Sequence, residues 1–111
     1  MSWKIESSAE FDNWADGLPD IEQDRLDALV EVLQEHGPSL GRPLVDTVKG
    51  SKHPNLKELR RGTIRVLFAF DPKRTAVLLV GGDKRGQWRA WYVTAIKLAD
   101  RLFDRHLRSL K

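Results

Sequence analysis

The stretch from Leu56 to Gly82 restricts most strongly what this chain can fold into. It carries three β-patterned runs, at about 56–61, 63–70 and 75–82, and two turn signals separate them: Arg61-Gly62 and Asp71-Pro72-Lys73-Arg74. Alternation assigns faces within the middle run, "TIRVLFAF". Ile64, Val66, Phe68 and Phe70 share one face, and Arg65, Leu67 and Ala69 share the other. The bulky face is expected to pack on helices, which leaves Arg65 on the opposite face of a central strand. A two-residue turn would pair Arg60 with Thr63 and Glu58 with Arg65. A four-residue connection would pair Phe70 with Thr75 and Arg65 with Val80. In that register Arg60, Arg65 and Lys84 converge at one end of one sheet face, with Glu58 beside Arg65 to orient it. A one-residue slip would turn each side chain to the other face.

The helices are expected upstream. Trp3 and Ile5 suit a short first strand. Ser7 with Glu10 fits a capping box, and Phe11 with Trp14 gives the first apolar stripe. Gly17 and Pro19 end that helix and start the next, where Leu26, Leu29, Val30 and Leu33 fall on one face. Gly37 and Pro38 stop it. The pair forms a helical hairpin with its apolar side on the sheet. Residues 37–55 are a Gly-, Pro- and Ser-rich linker with a short strand at Leu44–Val48. Tyr92, Ile96, Ala99, Phe103 and Leu107 mark a C-terminal amphipathic helix from about Trp88 to Leu110.

A chain of 111 residues is expected to make a single domain, residues 1–111. No apolar run is long enough to span a bilayer, and the N-terminus has no secretory core, so a cytoplasmic protein without a membrane partner is expected. Cysteine is absent, which excludes disulfides and thiolate metal sites. His36, His53 and His106 show no metal-ligand spacing, so neither metal nor cofactor is expected.

The net charge of +3 conceals a division. Residues 1–48 hold 3 Lys/Arg against 11 Asp/Glu, while residues 49–111 hold 16 against 5. So basic a half points to a nucleic-acid or phosphate partner, unless the two halves merely neutralise each other across the fold. Arginine grips phosphate oxygens through a planar fork, lysine supplies a mobile point charge, and both offset charge developing on phosphorus. Trp88, Trp91 and Tyr92 follow Lys84 closely, and aromatics among basic residues suit stacked bases of a single strand. Each element also has a plainer use: Arg65 as a partner of Glu58, Lys84 and Arg85 as an exposed turn, Trp91 or Tyr92 as a core anchor.

The segment "LKELRRGTIRVLFAFDPKRTAVLLVGGDKRG", followed by "WYVTAIKLADRLFDRHL", resembles the HigB-like branch of the RelE/ParE toxin superfamily. The resemblance implies an α+β, RelE-like fold: a small twisted, mainly antiparallel sheet, an N-terminal helical hairpin on one face, and a C-terminal helix. It implies a toxin of a type II toxin–antitoxin system that cleaves mRNA on the ribosome and inhibits translation. Its partners would be the ribosome, mRNA and a helix-turn-helix antitoxin. Arg65 matches the strand arginine at the scissile phosphate; Arg60 and Lys84 match further phosphate or transition-state ligands. The reaction would be attack of a ribose 2′-OH on its own 3′-phosphate, a metal-independent endoribonuclease step. Tyr92, Lys57 and His53 are candidate proton carriers, with Tyr92 grouped with the catalytic set. Lys57, Arg61, Arg85, Trp88 and His53 are candidate RNA contacts. The competing classes are a ParE-like DNA gyrase inhibitor and a non-catalytic partner-binding protein. The antitoxin has two candidate surfaces, the acidic hairpin and the basic sheet face, and the sequence leaves both open.

Overall fold

The computed structural model describes residues 2–83, 85–86 and 88–111. The chain runs β1 (Lys4–Ser7), α1 (Ala9–Asp16), α2 (Asp20–His36), a 3-10 turn (Gly37–Ser39), β2 (Val45–Thr47), β3 (Lys57–Arg61), β4 (Ile64–Phe70), β5 (Thr75–Asp83) and α3 (Trp88–Ser109). The sheet order is β1-β5-β4-β3-β2. Only β1 runs parallel to its neighbour; the other three pairings are antiparallel. This is the expected α+β architecture.

Both sheet faces are covered. Phe11 of α1 and Leu26, Leu29 and Leu33 of α2 pack with Leu59, Val66, Phe68 and Leu78. On the other face, Ala95, Ala99, Leu102 and Phe103 of α3 pack with Leu56, Leu67, Ala69, Val77 and Leu79. The alternation in β4 therefore decides which helical layer each side chain meets, and Arg65 lies on the α3 side. The N-cap of α1 is Ser8, not Ser7: its backbone is extended and its Oγ accepts from Phe11 N at 2.9 Å. Ser7 Oγ donates instead to Asp12 at 2.6 Å.

The strand register differs from the shortest-turn expectation. The β3–β4 loop is Gly62-Thr63, with Gly62 at φ +56°, so Arg61 pairs with Ile64 and Arg60 with Arg65. Between β4 and β5, Asp71 closes a wider turn. Its Oδ1 accepts from Lys73 N and Thr75 N, and Phe70 pairs with Ala76. The register then shifts between Leu67 and Phe68, with Leu79 as the extra residue of a β-bulge, so Arg65 lies opposite Gly82. Each displacement comes to two residues at Arg65, which changes its partners but preserves its face.

Gly81 and Gly82, consecutive in β5, face opposite sides of the sheet, each beneath a tryptophan. A Cβ on Gly81 would lie 2.1 Å from Trp14, and one on Gly82 2.1 Å from Trp91 Nε1. The two glycines thus let one indole from each helical layer reach the sheet backbone.

Candidate active site

Two arginines directly opposite each other on adjacent strands, about 5 Å apart at Cβ, repel unless anions intervene. Here Glu58 supplies the anion from β3, two residues before Arg60 and on the same face. Glu58 is only 5% exposed. Arg60 Nε donates to Glu58 Oε1 at 2.8 Å, and Tyr92 Oη donates to Glu58 Oε2 at 2.7 Å. Asp46 of β2, opposite Glu58, accepts from Arg60 Nη2 at 3.3 Å. The Glu58 carboxylate holds the Arg60 guanidinium above its usual pKa, so Arg60 is a permanent cation.

Arg65 is held differently. It is 7% exposed, and its Nη1 donates to the carbonyls of Gly62 at 2.6 Å and Ile64 at 2.8 Å. Its Nε is buried without a hydrogen-bond acceptor and stands 3.8 Å from Glu58 Oε1. Arg65 is thus the buried member of the pair and Arg60 the solvent-facing one, with a side chain 36% exposed.

The first turns of α3 bring aromatic rings to this end of the sheet. Tyr92 meets Trp91 and Trp88 edge-on, with ring centroids 4.9 and 6.0 Å away. Burial first, and the bond to Glu58 second, push the Tyr92 phenol up to about 12. Tyr92 is therefore a protonated donor at neutral pH, which excludes it as a resting general base. Beside these residues opens a groove of about 520 Å³, lined by Val48 and Lys49, by Glu58 and Arg60, and by Trp88, Arg89, Tyr92, Val93 and Ile96. Its floor is aromatic and aliphatic, and its cations are Lys49, Arg60 and Arg89.

The structure gathers Arg60, Arg65, Tyr92 and Trp88 of the residues expected from sequence. Lys84 lies outside the described residues. Lys57 alternates with Leu59 toward the hairpin side, where its Nζ reaches Thr47 Oγ1 at 3.4 Å. His53 meets Asp104 at 2.8 Å and packs edge-on to Phe103. Asp104 is about 18 Å along the helix axis from Tyr92, so His53 does not join the cluster. Arg61 and Arg85 line a separate cleft on the hairpin side. The sequence reading gave Glu58 only an orienting part and omitted Asp46, Lys49 and Arg89. The common face of Asp46 and Glu58 follows from their pairing across β2 and β3, whereas Lys49 and Arg89 lie outside the strands, where alternation gives no signal.

The fold is that of the RelE-type toxins. The chain superposes on a double mutant of the E. coli toxin RelE in the free state with a TM-score of 0.65 at 12% identity, covering 87% of this chain and 97% of that one. The archaeal RelE–RelB complex from Pyrococcus horikoshii OT3 gives 0.63 at 20% identity, covering 78% and 99%. Residues 13–104 match the family model described as "Phage derived protein Gp49-like (DUF891)". Two Mycobacterium tuberculosis proteins are similar in sequence. "Putative toxin HigB2" is 50% identical over 99 residues, 85% of this chain and 49% of that protein. "Putative toxin HigB3" is 52% identical over 82 residues, 72% of each. The chain belongs to this Gp49-like family and is a HigB-like member of the RelE toxin superfamily. It spans about half the length of the first of these relatives.

Proposed function

We propose that this protein is the toxin of a type II toxin–antitoxin system and an endoribonuclease that cleaves mRNA on the ribosome in the cytoplasm. The observation that carries the reading is the Arg60–Glu58–Tyr92 constellation at the edge of a groove with an aromatic floor and a basic rim. Bases stack on rings, and phosphates pair with guanidinium groups. The nucleophile is the substrate's own 2′-OH, which attacks the adjacent phosphorus. The P–O5′ bond breaks, leaving a 2′,3′-cyclic phosphate and a 5′-hydroxyl. Arg60 offsets charge on the phosphoryl oxygens, a contribution of about 3 kcal/mol for one well-placed donor. The mechanism as drawn needs no metal, because the nucleophile is already positioned and the guanidinium supplies the positive charge.

Glu58 has a particular part in this scheme. A phosphate that takes Arg60 competes with Glu58 for the same N–H groups. The displaced carboxylate is 3.8 Å from the unpartnered Arg65 Nε, so it can transfer to Arg65 and remain paired. That exchange avoids leaving a buried charge alone, which would cost several kcal/mol. It also leaves Glu58 beside the reacting group, where its carboxylate can take the 2′-OH proton. Tyr92, as a protonated donor, is suited to the leaving oxygen.

The partner is an antitoxin, as in the toxin–antitoxin complexes among the structural neighbours. We place a helix-turn-helix antitoxin on the exposed acidic side of α2.

Mapping mRNA 5′ ends after brief induction tests the reading. New ends inside translated frames, lost in Arg60→Ala, are expected. Relaxed plasmid with intact mRNA would instead identify a gyrase inhibitor. Intact mRNA and normal supercoiling would identify a non-catalytic binding protein.

A further inference from the structure

Arg60 and Arg61 are consecutive on β3 and so point to opposite faces of the sheet. Arg60 enters the groove beneath α3. Arg61 enters a second cleft of about 510 Å³ on the hairpin side, where Arg25 of α2 and Arg85 beyond β5 also line the wall. Three guanidinium groups from three separate segments thus share one volume. The exposed Gly62-Thr63 loop, which follows directly on Arg60 and Arg61, lines this cleft, and its small side chains form a low rim at the sheet end.

The cleft also holds two carboxylates, and each is engaged by its own neighbour. Arg25 Nη1 donates to Glu22 at 3.1 Å, and Arg85 Nη2 donates to Asp83 at 2.6 Å. The Arg61 side chain makes no hydrogen bond or ion pair among the described residues. Solvent-exposed pairs of this kind contribute little, so they yield readily to a better anion. A phosphate offers a bidentate acceptor to a guanidinium fork. It can take Arg61 outright and share Arg25 and Arg85, which the carboxylates already hold at the cleft wall.

We infer that this cleft is a second phosphate subsite, holding a backbone phosphate of the same RNA strand that lies in the α3 groove. The strand crosses the sheet end over the Gly62-Thr63 rim. The subsite does no chemistry. It fixes the register of the strand, and so contributes to binding of long substrates and not to the reaction of the scissile group. The inference rests on the endoribonuclease reading of the groove.

The test is binding of single-stranded RNA by fluorescence anisotropy, with the intact toxin and two labelled oligonucleotides. One is a trinucleotide and the other about ten nucleotides long, within the span one small domain covers. For the double variant Arg61→Ala/Arg85→Ala, the Kd of the longer RNA is expected to rise about tenfold, and its log–log salt slope to fall by about 1. Trinucleotide binding is expected to stay at the wild-type value. Arg60→Ala should weaken both RNAs. Equal losses on both RNAs in the double variant, or no loss on either, overturn the subsite while leaving the groove assignment standing. If the wild-type protein binds neither RNA, the subsite falls, and the groove assignment is decided separately by the loss of ribosomal mRNA cleavage in Arg60→Ala.

Discussion

Arg65→Ala separates a structural arginine from a catalytic one. Arg65 is almost fully buried, and Nη1 makes two charge-assisted bonds to backbone carbonyls of the β3–β4 loop. Such bonds contribute about 1.5–3 kcal/mol each, but water can reach the loop carbonyls once the side chain is gone, so about one bond's worth is lost. The missing alkyl stem adds a cavity of small cost. Glu58 keeps Arg60 and Tyr92, so the full penalty of an orphaned buried charge does not arise. The total is about 3 kcal/mol. For a chain of this length that lowers Tm by roughly 10 °C. Arg60 is more exposed, and its two pairs are screened by solvent, so Arg60→Ala should cost only about 1 kcal/mol. Its effect falls on the reaction, which should slow by about 10²–10³-fold. Thermal melts followed by circular dichroism, together with cleavage assays on ribosomes below the lower Tm, measure both quantities. Arg65→Ala should lose stability first, and Arg60→Ala should lose activity at near-wild-type stability. A melt of Arg65→Ala within about 2 °C of wild type would refute the anchoring of Arg65. Undiminished cleavage by Arg60→Ala would refute the site.

Tyr92 is the only tyrosine, so the ultraviolet absorbance of tyrosinate reports on it alone; its ionisation should centre near 12 in the folded protein, and a midpoint near 10 would mean that the phenol is neither buried nor bonded to Glu58. Because the folded-state pKa is raised, the stabilisation is fully present below pH 10 and lost as the pH rises through about 12, and Tyr92→Phe should abolish that loss. Gly82→Ala and Gly81→Ala should each destabilise by about 1–3 kcal/mol through overpacking against an indole. Only Gly82→Ala, which displaces Trp91 beside Tyr92, should also lower cleavage by the folded fraction. Reversing charge on α2 with Glu31→Lys/Glu35→Lys should slow antitoxin association and weaken neutralisation without altering toxicity. Unchanged neutralisation, with Arg65→Ala loosening the complex instead, would place the antitoxin on the α3 groove.

The elements were legible because their signals are local. Apolar spacing in α2 and α3, alternation in β4 and the two turn signals each constrain a few consecutive residues. The partners of Arg65 were less accessible. Asp71 widens the β4–β5 turn through side-chain bonds, and the bulge at Leu79 inserts a further residue, and neither leaves a pattern that alternation alone detects. Arg65 kept its expected face because alternation within the unbroken strand β4 fixes it, whichever residues of β3 and β5 lie opposite. The burial of Arg65 was hidden for another reason. Charge suggests exposure, and it takes α3 closing over the same face, with Trp91 admitted by Gly82, to cover a guanidinium.

The same packing explains why a small sheet tolerates two arginines face to face. Each needs a carboxylate, yet Glu58 is fully bonded only to Arg60, and the second arginine leans on backbone carbonyls with one donor unused. In a purely structural cluster that vacancy would be an uncompensated cost of about 1–3 kcal/mol. In a site that must exchange one anion for another, it is where the displaced carboxylate goes. Glu58→Gln distinguishes the two. Glutamine preserves the shape but carries no charge to transfer, so it should weaken the hold on Arg60 and remove the proton acceptor together. If Glu58→Gln folded and cleaved RNA at the wild-type rate, the exchange would be wrong, and the unused donor of Arg65 would be only a packing defect.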